Sequence, residues 1–498
     1  VSFMKLLVIG IDGGTKEIIE GMPMPFTQSL FKDSISKNLD EDLISRGWAE
    51  ALTGEHAASN KAFYLMPCAD GSYDFSASYS KSDMVSASTN KTIWKRLNDS
   101  NVSVGIVNVP TTGPADDVNG FIIAGGGGGV KATGGVPDGM VYPPKYKGVL
   151  EKNNYVFDVR LPGGETTVSG FLKKIGQAER VQKDTFVELS KIENPQFGFH
   201  CFRITTEVQY LARYEIDRCI KKISECKERG VNFEPSTELE KNLVNHYKGL
   251  DESIKSIFKE LNPENYLFIG DHSTALFEHE GNLDVWLSDN GYLNKLSRQE
   301  VFIQRAWRFL NFKVLTILGK KLKPKATLVR RPITRFSRRK SQAFGTFYDS
   351  GNFAGIFIND KDRFGGPVKS HQSSNELVRK ICKDFNADST AVRFGLEAKP
   401  YRALHDGAPY QHLMPDIKIH KPDSIYFSSR RWKFVTENPN LKPLEENLQG
   451  IRYPHAGSKG SDPLFVYSKG LEPLIIDGDP NDLRLAYRLI SRFFGQAV

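Results

Sequence analysis

Tyr266-Leu267-Phe268-Ile269-Gly270-Asp271-His272 is the stretch on which the reading of this chain turns. A short apolar run closed by glycine reads as a buried strand, and open α/β sheets carry their binding residues just past the carboxyl ends of their strands. The same arrangement occurs near the start, where Leu6-Leu7-Val8-Ile9-Gly10-Ile11 runs into Asp12-Gly13-Gly14. Two strands far apart in sequence can therefore aim one aspartate and an aspartate–histidine pair at a single crevice. Carboxylate oxygens and a neutral imidazole gathered in one place suit a divalent metal. The ordinary alternatives are a turn at Asp12-Gly13 and a loop carboxylate beside a core histidine at Asp271-His272.

Outward from these runs, strand and helix candidates alternate. Strands are expected over 5–11, 101–108, 197–204, 266–270, 352–359 and 464–468, and helices over 205–222, 239–260, 376–385 and 483–494. Residues 110–144, rich in Gly and Pro with five consecutive glycines at 125–129, read as a long irregular segment. Such a segment is either surface loop or active-site wall, because glycine lets backbone approach a ligand. Residues 281–345 depart from the alternation.

With 498 residues, 39% of them hydrophobic, the chain can build either one large domain with a substantial insertion or two domains. It has no run of 18 apolar residues that would span a bilayer. Val1–Lys5 leads straight into the first strand without a basic and apolar leader, and the five cysteines are odd in number and irregularly spaced. Cytoplasmic residence is the expectation, without structural disulfides. The net charge of +8 is concentrated between Lys313 and Lys340, where Lys313, Lys320, Lys321, Lys323, Lys325, Arg330, Arg331, Arg335, Arg338, Arg339 and Lys340 occur without an acidic residue. A candidate amphipathic helix over 301–312 precedes them. Three readings stay open: a solvated loop beside a packed helix, steering of an anionic substrate, or a peripheral membrane or nucleic-acid contact through 301–340. No nucleic-acid-binding motif supports the last, and nothing in the sequence fixes an oligomeric state.

Several stretches, taken in order, resemble a known family. They are Asp12-Gly13, Arg46-Gly-Trp-Ala-Glu-Ala-Leu-Thr-Gly54, Pro114-Ala-Asp-Asp-Val-Asn-Gly120 with Tyr142-Pro-Pro144, Asp271-His272, and Leu283-Asp-Val-Trp-Leu-Ser-Asp-Asn-Gly-Tyr-Leu293. Gly355–Asn359, Asp362–Val368, Met414-Pro-Asp416 and His455–Phe465 continue the series. Their order resembles the alkaline phosphatase superfamily, in its type I phosphodiesterase and nucleotide pyrophosphatase branch. The resemblance implies a three-layer α/β/α sandwich around a central mixed, mostly parallel sheet, with an inserted smaller region. On that scheme 1–300 form the main catalytic part, 301–345 a basic helical or loop insertion, and 346–498 complete the catalytic domain with a small α/β subregion.

Members of this family hold two metal ions, usually zinc, and transfer a phosphoryl group through a Ser or Thr. By resemblance, Asp12, Asp271 and His272 match ligands of the ion that activates the nucleophile. The nucleophile position falls on Ile44; a one-residue slip gives the role to Ser45, with Arg46 facing the substrate's charged oxygens. Otherwise Ser45 caps the helix beginning near Trp48. The second ion's ligands fall on Thr206, Tyr210 and Lys459, which do not make an ordinary zinc site. One divalent ion, most simply zinc, is therefore expected rather than two. Lys459 would supply part of the missing charge and Tyr210 a hydrogen bond. Alternatively Glu207, His455 or His405 supply displaced ligands. Asn60, Thr206, His405 and His455 are expected on the substrate side.

The expected function is a metal-dependent hydrolase of phosphate esters or phosphodiesters, acting through Ser45 or a water held by the metal on a small anionic or phosphorylated substrate. A single-metal group transferase or tailoring enzyme on the same scaffold competes with it. A noncatalytic binding protein with a degenerate pocket is the third reading.

Overall fold

A computed structural model of the chain describes residues 4–64, 66–76, 81–85, 87–125, 135–160, 166–297, 299–302, 306, 336–345, 353–428, 431–449, 451 and 455–497. It contains two compact units. The first comprises Val1–Tyr64, Ser78–Glu278 and Asn438–Val498; the second comprises Leu65–Ala77 and His279–Glu437. Most of the basic stretch, most of the expected helix over 301–312, and four of the five consecutive glycines lie outside the described residues.

An eight-stranded sheet organises the first unit. In spatial order its strands are Ser34–Ser36, Phe465–Ser468, Asn265–Ile269, Leu6–Ile11, Phe197–Phe202, Val104–Val107, Gly120–Ile123 and Val141–Tyr142. The five from Asn265–Ile269 to Gly120–Ile123 run parallel. The flanking strands join antiparallel. Alternation along the strands divides their side chains between two cores. Leu7, Ile9 and Ile11 pack with residues of helices Val168–Glu193, Thr205–Glu228 and Glu238–Leu261, whereas Leu6 and Val8 pack with residues of Gly47–Thr53, Ile93–Asp99 and Arg484–Phe493. The result is a three-layer α/β/α sandwich around a mixed, mostly parallel sheet, as the sequence implied. Each fully buried aliphatic or aromatic side chain contributes about 1.5–3 kcal/mol, so the central strands are the most strongly held part of the unit.

One sequence expectation is corrected here, and one long helix falls where no element was expected. The segment 110–144 is not irregular throughout: Gly120–Ile123 is a strand of the main sheet, with Phe121, Ile122 and Ile123 fully buried, and Val141–Tyr142 pairs beside it. Its apolar run is short enough to vanish among the surrounding glycines and prolines. The 26-residue helix Val168–Glu193 also went unread, although Phe171, Leu172, Ile175, Ala178, Gln182, Thr185, Phe186 and Leu189 recur at helical spacing.

The second unit has a four-stranded antiparallel sheet in the order Ala343–Gly345, Gly355–Ile358, Ile417–His420, Glu397–Pro400, with helix His371–Asn386 against it. Buried Arg363 ties it together: Nε donates to Asp360 Oδ2 at 2.6 Å, Nη1 to the Met414 carbonyl at 3.1 Å, and Nη2 to the Ile358 carbonyl at 3.1 Å and to Asp416. Arg402 Nε reaches the other Asp416 oxygen at 2.9 Å. Asp362–Val368 and Met414-Pro-Asp416, quoted above for the resemblance, thus contribute to this unit's scaffold.

Candidate metal centre

Parallel register aligns the two strand ends carrying the carboxylates. Gly10 lies opposite Ile269, so Asp12 and Asp271 each stand two residues beyond a matched pair. Ligand atoms of Asp12, Asp271 and His272 all lie within 4.8 Å of one another, and all three residues are buried.

In each of the three, one polar atom is held by the protein. Asp12 Oδ2 accepts from Trp48 Nε1 at 2.9 Å, Asp271 Oδ1 accepts from the Gly13 amide at 3.2 Å, and His272 Nδ1 lies 2.7 Å from the Ser273 carbonyl. A carbonyl only accepts, so Nδ1 carries the proton and Nε2 keeps its lone pair. The other atoms converge: His272 Nε2, which also accepts from the Tyr210 hydroxyl, lies 3.9 Å from Asp12 Oδ1 and 3.5 Å from Asp271 Oδ2. In each residue one atom is thus tethered and the other directed inward, an arrangement that suits a bound ion. Gly13 makes its bond in the left-handed region, at φ 70°, which glycine enters without strain. At Gly47, the first residue of helix Gly47–Thr53, a Cβ would come within 2.0 Å of the Asp271 carbonyl oxygen, so only glycine lets that helix seat here.

Burial sets the electrostatics. It raises the Asp12 carboxyl above its ordinary range, with the Asp271 charge adding to the effect, and it raises Asp271 too, with Lys459 opposing. Burial and then Lys459 push the His272 imidazole down to about 3, leaving it neutral at physiological pH. Two carboxylates crowded in a dry place and a neutral imidazole form a donor set that a divalent cation relieves.

Helix Thr205–Glu228 and strand Gly457–Gly460 close another side. The helix departs from helical geometry at Ala212, and the Tyr210 carbonyl accepts from the His455 and Ala456 amides at 3.2 and 3.4 Å. The strand pairs antiparallel with Ser273–Leu276, putting Lys459 opposite Thr274. The Tyr210 hydroxyl lies 3.1 Å from His272 Nε2, and the two rings stack at 7° with centroids 6.0 Å apart. A Cβ at Gly13 would lie 3.0 Å from Thr206 Oγ1, so Thr206 also borders this place. Burial lowers the Lys459 ammonium to about 8, while Asp271 and Asp12 hold it up.

No family model and no curated protein matches the chain. Among solved structures, phosphonoacetate hydrolase from Sinorhizobium meliloti, in complex with phosphonoformate, aligns over 99% of this chain and 96% of its own at 10% identity, with a TM-score of 0.50. Murine ectonucleotide pyrophosphatase/phosphodiesterase 5, in an inactive form with AMP, aligns over the same shares at 10% identity and a TM-score of 0.46. The fold is alkaline phosphatase-like, a three-layer α/β/α sandwich shared with the first of these structures.

The surroundings of Ser45, Asn60, His455 and His405, also selected from the sequence, are as follows. Ser45 does not cap its own helix, whose first turn has no side-chain cap. Its Oγ instead accepts from the Ala57 amide at 2.8 Å and bonds to none of Asp12, Asp271 and His272. Neighbouring Asp42 Oδ2 lies 2.7 Å from His56 Nε2, while His56 Nδ1 accepts from the Ala58 amide at 3.1 Å. Both imidazole nitrogens are engaged, so Asp42, His56 and Ser45 are not arranged as a serine triad. Asn60 is fully buried; its amide nitrogen donates to Thr53 Oγ1 at 3.1 Å and the Glu55 carbonyl at 2.7 Å, and its oxygen accepts from Ala62 at 2.8 Å. Its hydrogen bonds pin the turn after Thr53-Gly54. The His455 ring is buried, and its nitrogens make no hydrogen bond among the described residues. His405 belongs to the second unit, edge-on to Tyr401.

Two side chains of the candidate site went unassigned in the sequence. Trp48 stands inside a quoted motif, yet nothing in the motif says that its indole reaches Asp12. Tyr64 carries no signal at all. Its ring lies 4.9 Å from Arg46 Cζ and 3.9 Å from Lys459 Nζ, and its hydroxyl accepts from Lys459.

Proposed function

We propose that the chain is a metal-dependent hydrolase of phosphate esters or phosphodiesters, using one divalent ion, most simply zinc, held by Asp12, Asp271 and His272. The observation that carries this reading is the convergence of three inward atoms, Asp12 Oδ1, Asp271 Oδ2 and His272 Nε2, each backed by a tether on the partner atom of the same side chain. When bound, the ion supplies Lewis-acid polarisation and charge neutralisation for attack at phosphorus. The protein's own groups do the rest. Lys459 and Arg46 draw in and orient the anionic substrate, with Lys459 standing where the resemblance would put a second ion's ligand. The Tyr210 hydroxyl, which donates to His272 Nε2 at 3.1 Å, would be released for a phosphoryl oxygen once an ion took that lone pair, with Thr206 beside it. Ser45 Oγ is occupied with the Ala57 amide, which favours water over Ser45 as the attacking group. His455 and His405 remain substrate-side proposals. The shared fold adds support, because the Sinorhizobium meliloti relative is a hydrolase of a phosphonate. Cytoplasmic residence belongs to the same reading and is supported by five free cysteines.

The test is metal analysis of the purified protein together with turnover on a panel of phosphomonoesters, phosphonates and diesters. One ion per chain, lost in Asp271→Asn and His272→Ala together with turnover, is expected. Two ions per chain, or one ion retained in both variants, would overturn the reading.

A further inference from the structure

Asp12, Asp271 and His272 are buried, whereas Arg46, Tyr64 and Lys459 keep part of their surface in water. These three form one assembly. The Tyr64 ring carries the Arg46 guanidinium at 4.9 Å and the Lys459 ammonium at 3.9 Å from its centroid, and its hydroxyl accepts from Lys459. The ring face attracts the guanidinium and the hydroxyl oxygen accepts from the ammonium, so one side chain can hold two cations at closer quarters than their mutual repulsion would otherwise favour. The two cations repel each other, while Asp271 and Asp12 attract Lys459.

This juxtaposition discriminates among phosphorus oxyanions. A planar guanidinium takes two oxygens side by side and an ammonium takes a third. A phosphomonoester or phosphonate offers three such oxygens and two negative charges. A phosphodiester offers two oxygens and one charge, and it brings a second organic arm to a place lined by cations. Relief of the repulsion is therefore greater for the dianion.

We propose that Tyr64 is a specificity-determining positioning residue: by holding Arg46 and Lys459 on one ring it builds a two-cation subsite that selects phosphomonoester or phosphonate dianions over phosphodiester monoanions. The proposal rests on the phosphate-ester reading above and narrows it.

The test is calorimetric binding of inorganic phosphate, methylphosphonate, sulfate and dimethyl phosphate to the zinc-loaded full chain, with metal content measured on the same samples. Wild type binds the first three at least about tenfold more tightly than dimethyl phosphate, and Tyr64→Leu brings that ratio towards one at unchanged metal content. Tyr64→Phe, which keeps the ring and removes the acceptor for Lys459, gives an intermediate ratio and serves if the leucine variant does not fold. Phosphate and methylphosphonate binding without sulfate marks recognition of the phosphorus group itself rather than of charge, and overturns the two-cation basis. A wild-type protein without the preference, or Tyr64 variants that keep it, also overturns the proposal. Absence of bound metal instead removes the hydrolase reading on which it rests.

Discussion

Trp48 Nε1 donates to Asp12 Oδ2 at 2.9 Å, across 36 positions of sequence, and so turns Oδ1 of the same carboxylate towards His272. Trp48→Phe preserves an aromatic ring against Phe199 but removes the donor. Loss of such an outer partner costs about 10–100-fold in metal affinity. Competition with a chelator of known affinity should reveal that loss, with the thermal midpoint of the metal-free protein lowered only slightly. Unchanged metal affinity would mean that Asp12 is oriented without Trp48.

Metal should stabilise the first unit through mass action, by about 2.7 kcal/mol when the free ion is at 100 times its dissociation constant. The thermal midpoint of wild type should rise on adding zinc and fall on chelation. Asp271→Asn should respond to neither. A zinc response retained in that variant would locate the ion elsewhere.

Ser45→Ala should act on stability rather than turnover. It leaves the Ala57 amide without its acceptor in a buried setting, at a cost of about 1–3 kcal/mol. Denaturant unfolding should show the loss, and rate measurements on the folded variant should show turnover largely kept, with no covalent phosphoenzyme in wild type by mass spectrometry. Turnover abolished in a folded Ser45→Ala protein would restore the hydroxyl as nucleophile.

Beneath helix Gly47–Thr53, Glu41 and Glu50 come together with Asp482, whose carboxylate is bonded by Arg484. Burial pushes Glu41 up to about 8 and Glu50 well above its ordinary value, with the Glu41 charge adding to the latter. The folded protein thus keeps a proton that the unfolded chain releases near pH 4.5, the ordinary value for Glu. Stability is fully present below that pH and falls by about 1.4 kcal/mol per pH unit per retained proton as pH rises towards 8. Glu50→Gln, whose amide can donate to Glu41 as the shared proton did, should flatten the decline. Parallel wild-type and variant profiles would rule out this pair as its source.

In the second unit, Arg363→Met should destabilise by about 3–5 kcal/mol, because it leaves buried Asp360 and Asp416 short of a cation. Arg363→Lys should recover only part of this, since one ammonium cannot reach both carboxylates and two carbonyls. Full recovery by lysine, read from denaturant midpoints, would reduce the network to a charge effect.

Much of this was legible in the sequence. Leu6–Ile11 and Tyr266–Ile269 announced themselves as strands because residues buried on both faces must be continuously apolar, and their terminal Asp12 and Asp271-His272 followed by position alone. The register that matches Gly10 with Ile269 made those ends coincide. The strand Gly120–Ile123 was missed because four residues among glycines and prolines carry too little periodicity to be distinguished from loop. The resemblance put the nucleophile position at Ile44 and reached Ser45 only by a one-residue slip, and the partner of its hydroxyl, the Ala57 amide twelve residues on, is set by the tertiary path of the chain.

By itself the sequence determined the α/β class, the strand ends and the three residues of the candidate centre, because those depend on local hydrophobic pattern and on residue chemistry at the end of a run. The Trp48 tether, the stack of Tyr210 on His272, and the gathering of Arg46 and Lys459 on Tyr64 were decided only by tertiary structure. Each joins side chains from separate segments through direction and distance, and neither is encoded in spacing along the chain.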